Sequence, residues 1–372
     1  MHSSLISASL FGLSCVSVVT AAPFSYQGNP LGNGFPNIGA GSSQQLDIEK
    51  QAHGSLPNAP PPPASPQPDS LTSLRLIAFN ELSEVAFFTE LLYNITNYVE
   101  GYEIHHQGAR DFIVRALTAV QAQEELHALN ANNALNHFTN EIILPCQYNF
   151  PVANFEDAVA LASTFTDVVL GTLQDVQQTF GADGDVGLIR GVGSVIGQEG
   201  EQNGFFRQLL DKTPSALPFL TTSTREFAFS ALQGFVVKGT CGNLDAVGLQ
   251  IFDPLTVDTP TIKPQSQNLT FSFELKEMKP SWNSDFSGLS LTYINQQNLP
   301  VVEKIFNARK ESKDSKTIVT FDALFPFDDE YQGARFGNGL TIAAVTNSTG
   351  PFATADLVAK STVFGPGLIE IN

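Results

Sequence analysis

Ala122-Gln-Glu-Glu-Leu-His-Ala-Leu-Asn130 places Glu124 and His127 one helical turn apart. Around the pair, apolar residues recur at strides of three and four: Ile113, Leu117 and Val120 before it, Ala131, Ala134 and Phe138 after it. Such a stripe faces the core of a helical bundle, and two ionisable groups lie in its middle. A buried carboxylate without a partner is costly, so this stretch calls for a metal, a proton-sharing neighbour or a hydrogen-bonded polar core. An inward-facing Glu-x-x-His is also half of the ligand pattern of carboxylate-bridged metal bundles.

Three further stripes surround this one. A helix from after Asp69-Ser70 to about Val99 carries Ile77, Glu81, Glu84, Phe88 and Leu92 on one line. The Glu124/His127 helix runs over about 110–140. A break at Pro145–Pro151 marks a crossover, followed by a helix over about 154–180 with Val159, Ala162, Thr166 and Leu173 inward. Its central acid, Asp167, is turned about 100° from the seam. A last long helix, about 186–210 and capped by Asp185, aligns Val192, Val195, Glu199, Gln202, Phe206 and Leu209. Residues 222–237 read as a fifth, short helix. The seams therefore collect Glu81, Glu84, Glu124, His127, Glu199 and Gln202 as candidate metal ligands. In a complete dinuclear set the second motif would also be Glu-x-x-His. Here it is Glu199-Gly-Glu-Gln202, and Thr166 stands where an acid is wanted.

Beyond about residue 255 the period falls from 3.6 to 2, as in Leu269, Phe271, Phe273 and Leu275. Turn residues separate several such runs, which predicts a small antiparallel β-sandwich. The expected organisation is α+β and multidomain: a leader (1–22), a Pro/Gly/Ser-rich disordered spacer (23–70), an up-down four-helix bundle with a short fifth helix (71–250), and a β-sandwich (255–372). The spacer expectation rests on composition, including Pro60–Pro63.

Residues 1–22 contain no Lys, Arg, Asp or Glu and end their apolar run in Thr20-Ala21-Ala22. This reads as a secretory signal and places the mature protein outside the cell or in the cell wall. Cys15 leaves with it, and Cys146 and Cys241 are expected to form a disulfide worth about 3–5 kcal/mol on the loop-entropy model. Asn94, Asn268 and Asn347 head N-x-Ser/Thr sequons and are expected glycosylation sites on the same route. The formal charge of −18 opposes nucleic-acid binding, and no segment after the leader is long and apolar enough to span a bilayer.

The stretches N-E-L-S-E-V-A-F-F (80–88), Q-E-E-L-H (123–127), F-E-D-A-V-A-L-A (155–162) and I-G-Q-E-G-E-Q-N-G-F-F-R (196–207) resemble the secreted ferritin-like-domain proteins of filamentous fungi. That group includes late sexual development proteins and stress-response proteins. The resemblance covers about residues 70–250 and implies a ferritin-like bundle, a role in development or stress, and metal binding at Glu84 (or Glu81), Glu124, His127 and Glu199. Iron or manganese would be the metal. The expected function is a non-catalytic or divalent-metal-binding extracellular role. A di-iron or di-manganese oxidase or catalase-like enzyme is one alternative. A cell-wall or surface interaction protein acting through the β-domain is another.

Overall fold

The computed structural model describes residues 33–371, except 60, 61, 63, 329, 332, 333 and 336. The expected leader, Cys15 and the first part of the expected spacer, residues 23–32, lie outside the described residues. Seven α-helices and ten strands are described: α1 Ser43–Ala52, α2 Pro68–Thr96, α3 Gln107–Thr139, α4 Phe155–Asp183, α5 Ile189–Leu209, α6 Arg225–Leu232, β1 Thr256–Val257, β2 Gln267–Glu274, β3 Ser290–Asn295, β4 Val301–Lys304, β5 Phe306–Lys313, β6 Lys316–Phe325, β7 Glu330–Tyr331, β8 Ala334–Arg335, β9 Gly339–Thr346, α7 Ala355–Ser361 and β10 Thr362–Ile371.

The expected spacer is not uniformly disordered: α1 lies within it and packs on α3. Ser42 caps the helix, its side chain accepting from the Gln45 N–H at 3.2 Å, while Gln45 Oε1 accepts from Gly41 N–H at 2.7 Å. That exchange satisfies donors which would otherwise be orphaned at the helix start. Phe35, Ile48 and Ala52 then enter the bundle core. Three apolar anchors are too few to show as a periodic pattern, yet they fix the segment.

In the bundle α2 packs against α3 and α4, and α4 against α5. Asp183 and Asp185 serve the start of α2 rather than that of α5. Asp183 accepts from the backbone and hydroxyl of Ser70 at 3.1 and 2.9 Å, and Asp185 from Gln67 N–H at 2.9 Å. Two carboxylates thus sit against the positive end of the α2 dipole. The break between α3 and α4 is pinned to the segment after α6 by Asn149 N–H to Phe235 O (2.8 Å), by Val237 N–H to Gln147 O (2.9 Å), and by the Cys146–Cys241 disulfide.

The β-region is two four-stranded antiparallel sheets, ordered β1-β2-β6-β5 and β10-β9-β3-β4; β7 and β8 form a separate small ribbon. Leu269, Phe271 and Phe273 of β2 and Val319, Phe321 and Phe325 of β6 face Leu291, Tyr293, Val345 and Phe364 of the other sheet. The first sheet alternates, buried on one side only. The second does not: every residue of β3 and β9 is buried. Its outer face, Ile294, Leu340, Ile342 and Ala344, packs on Val168 of α4, Phe227 and Ala228 of α6, and Val358 of α7. This third cluster welds the sandwich to the bundle. Among the described residues no helix is long and apolar enough to cross a membrane.

Close approach at this junction needs a glycine. A Cβ on Gly171 of α4 would lie 2.1 Å from the Thr221 carbonyl oxygen, whereas one on Gly191 of α5 would meet nothing within 4 Å. Gly171→Ala is therefore expected to cost about 1–3 kcal/mol through overpacking, and Gly191→Ala to stabilise by about 0.5–1 kcal/mol. Urea midpoints of the two variants check this; equal midpoints would remove the close-approach argument.

Candidate metal centre

Each inward polar residue occupies a position that its helix otherwise gives to core side chains. On α2, Glu81 and Glu84 lie in a run with Leu82, Val85 and Phe88, all buried. On α3, Glu124 follows Leu117 and Val120, and on α5 Glu199 and Gln202 precede Phe206. Phe88 and Phe206, one turn beyond Glu84 and Gln202, stack with centroids 5.7 Å apart and hold α2 against α5. The acids are almost sealed: Glu81 is 1% exposed, Glu84 4%, Glu124 0% and Glu199 1%. The His127 side chain, at 16%, is the part of the group nearest to water.

Glu81, Glu124, His127 and Glu199 each offer a ligand atom, all within 4.8 Å of one another. Each oxygen of Glu124 has one partner. One of its oxygens stands 2.8 Å from His127 Nδ1, and the other accepts from Gln202 Nε2 at 2.6 Å. Glu81 Oε2 lies 3.4 Å from the same Nδ1, an electrostatic contact without a hydrogen bond. Among the described residues, no donor serves either oxygen of Glu199 or Oε1 of Glu84. Ionised, these oxygens would set acceptors against acceptors, so each calls for a proton or a cation.

The acidities follow. Burial pushes Glu81 up to about 7, the charge of His127 resisting and that of Glu124 adding to the rise. Burial also drives Glu84 and Glu199 well above the carboxylate range, reinforced by neighbouring glutamates. Burial alone would lower His127, but the charges of Glu124 and Glu81 outweigh it and raise it. Without a metal, this cluster retains protons that isolated carboxylates would have lost.

The candidates read from the seams do not all enter one group. Glu84 and Gln202 lie beside the four-residue cluster rather than within it. From α4 comes no member, among the described residues. Thr166 is buried without charge, and Asp167 is engaged elsewhere. Asp167 Oδ1 accepts from Asn203 Nδ2 at 2.8 Å, and Asn203 Oδ1 accepts from Ser163 at 2.7 Å.

The sequence reading missed an amide lattice around the centre. Gln123 Oε1 accepts from Gln198 Nε2 (3.0 Å) and Gln202 Nε2 (3.2 Å), while Gln123 Nε2 donates to Ala52 O of α1 at 3.3 Å. Glu125 was also passed over; it is buried, and Asn33 Nδ2 bonds both of its oxygens at 3.1 and 3.0 Å. The flanking position of Gln123 and Glu125, either side of Glu124, was the available signal. Of the sequon asparagines, Asn268 and Asn347 are exposed and Asn94 is half-buried.

These oxygens and one imidazole are a donor set that suits iron, manganese or zinc. The unserved carboxylate oxygens make the fit chemical rather than formal, since a divalent cation supplies the charge that the protein does not. A comparison with curated proteins finds none that matches the chain. Residues 74–212, which hold most of α2 and all of α3, α4 and α5, match the family model of the ferritin-like domain, so the bundle they form is ferritin-like in fold.

Proposed function

We propose that this protein is a secreted, divalent-metal-binding ferritin-like protein, acting in fungal development or stress. The observation that carries metal binding is Glu199, nearly inaccessible and with both oxygens unserved by any donor among the described residues. A polar core retained only for helix register would satisfy its own groups, because buried acceptors without donors are costly. Glu81, Glu124, His127 and Glu199 would hold the metal, with Glu84 and Gln202 at its flank. A bound metal supplies a Lewis-acidic centre and, if iron or manganese, a redox-active one. The chain's own part is to seal that centre among Phe88, Phe206 and the amide lattice, and to hold the protons that a metal displaces.

The Cys146–Cys241 disulfide and the uncharged leader support secretion. The developmental or stress role rests on the resemblance of the four bundle motifs. Redox turnover at the same centre is the alternative; peroxide loss or oxygen uptake that vanishes in Glu124→Ala would establish it.

Two measurements test the binding. Elemental analysis of the dialysed protein is expected to find transition metal at one equivalent per chain or more. In titrations, Glu199→Gln and His127→Ala should weaken affinity by at least about tenfold. A metal-free native protein that takes up neither Zn²⁺ nor Mn²⁺ would sink the reading.

A third measurement is the pH dependence of Tm. In the metal-free fold Glu81 titrates near 7, and Glu84 and Glu199 are also raised, so the folded state binds more protons than the unfolded chain above about pH 4.5. Stability of the metal-free protein must then fall as pH rises through that window. The raised His127 adds loss of the same sign at higher pH. Metal binding expels these protons, so the Tm increase from added Mn²⁺ should grow from pH 5 to pH 8. A Mn²⁺ effect that is independent of pH would contradict the proton-loaded centre.

A further inference from the structure

Helix α5 supplies Glu199 and Gln202, yet of the four long helices it is the one built to be least stable. Five of its 21 residues are glycine, whereas α2 has none, α3 one and α4 two. Glycine loses more backbone freedom than alanine on entering a helix. Packing does not require three of the five: Gly191, Gly197 and Gly200 are exposed, and a Cβ on any of them would meet nothing within 4 Å. The first turn of α5 has no acidic residue and, among the described residues, no side-chain cap. Asp185, just upstream, serves α2 instead.

The surroundings of α5 are unequal too. Three sides of the bundle pack closely, α2 on α3, α2 on α4 and α4 on α5, but along the fourth side the α3 and α5 backbones scarcely meet. Side chains bridge that side. Gln198 and Gln202 donate to Gln123 Oε1, Gln202 also donates to Glu124, and Phe205 lies edge-on to Phe112 with ring centroids 5.9 Å apart. The C-terminal half of α5 is anchored more firmly. Asn203 joins Asp167 and Ser163 of α4, Phe206 stacks on Phe88, and Arg207 Nε donates to Thr213 O at 2.7 Å. All three glycines that packing does not require precede these anchors.

A centre whose carboxylates are at most 4% exposed cannot exchange a hydrated cation unless some element opens. Elements that open are drawn from the least stable part of a fold. Resting on the metal-binding reading above, we propose that residues 189–200 of α5 are the gate through which the metal enters and leaves. They unwind and part from α3, pivoting near Gly200 and carrying Glu199 outward. The amides of Gln123 and Gln198 are the latch, and the outward glycines keep the gate free to move.

Hydrogen exchange of the metal-depleted full-length protein should find residues 189–200 at least about tenfold less protected than the middles of α2, α3 and α4. Zn²⁺ uptake and release are then followed with a fluorescent chelator. Gly191→Ala, Gly197→Ala and Gly200→Ala combined should slow both rates by at least about tenfold while Kd changes by less than about twofold, because a stiffer gate delays passage in both directions. Gln198→Ala, which removes part of the latch, should speed both by at least about twofold. Equal protection of all four helices would overturn the gate. So would unchanged rates in a triple variant that folds by circular dichroism, which would place the entry elsewhere, beside the part-exposed His127; either result leaves metal binding intact. An altered Kd with unaltered rates would also overturn it. No Zn²⁺ uptake by the native protein would overturn the metal-binding reading, and the gate with it. Should the triple variant not fold, hydrogen exchange of the native protein and the rates of Gln198→Ala decide the matter.

Discussion

Four carboxylates packed around one imidazole, inside an apolar bundle, are the constraint on which the helical half depends. Ionised together, Glu81, Glu84, Glu124 and Glu199 would repel one another in a medium that screens poorly, which adds to the burial that keeps protons on Glu81, Glu84 and Glu199. Among the described residues, His127 and the amide of Gln202 bond Glu124, and His127 also lies 3.4 Å from Glu81. Such a core is not what hydrophobic packing alone would select, since apolar residues of similar volume are commonly as stable as or more stable than buried charged groups. The surrounding structure supports it through close aromatic contacts, including Phe87 against Phe88, Phe150 and Phe165, each edge to face at 5.1–5.3 Å.

The amide lattice braces the centre from outside. Gln123 sits between α1 and α5, tied to Ala52 on one side and to Gln198 and Gln202 on the other. Through Gln202 this chain of bonds ends on Glu124. The orientation of a central carboxylate is thus set partly by the N-terminal helix, an element outside the four-helix bundle.

Much of the bundle was legible in the sequence, because a 3.6-residue stripe is a strong signal when it persists for eight turns. The same stripes placed Glu124, His127 and Glu199 on inward faces, and the angular argument rightly separated Asp167 from the Thr166 seam. What the stripes could not convey was distance across the core. Glu81 and Glu84 share a seam, yet only Glu81 joins the compact group, a matter of side-chain reach and helix offset. Helix α1 escaped notice because its ten residues carry few apolar anchors, although Ser42 and Gln45 form a capping signature. The second β-sheet was read as one face of a sandwich; that β3 and β9 are buried throughout depends on α4, α6 and α7 covering them, which no local period reveals.

That doubly covered sheet has a consequence for how the molecule responds to its ligand. Removing the strands would strip Val168, Phe227 and Ala228 of their cover, and removing the helices would expose Ile294, Leu340 and Ile342. Neither half can open without exposing the apolar surface of the other, which couples the stability of the two. A ligand held by α2, α3 and α5 then stabilises the entire native chain by RT ln(1 + [L]/Kd), where [L] is its free concentration. The sandwich, which contributes none of the clustered ligands, would still draw protection from denaturation and proteolysis whenever the bundle is loaded.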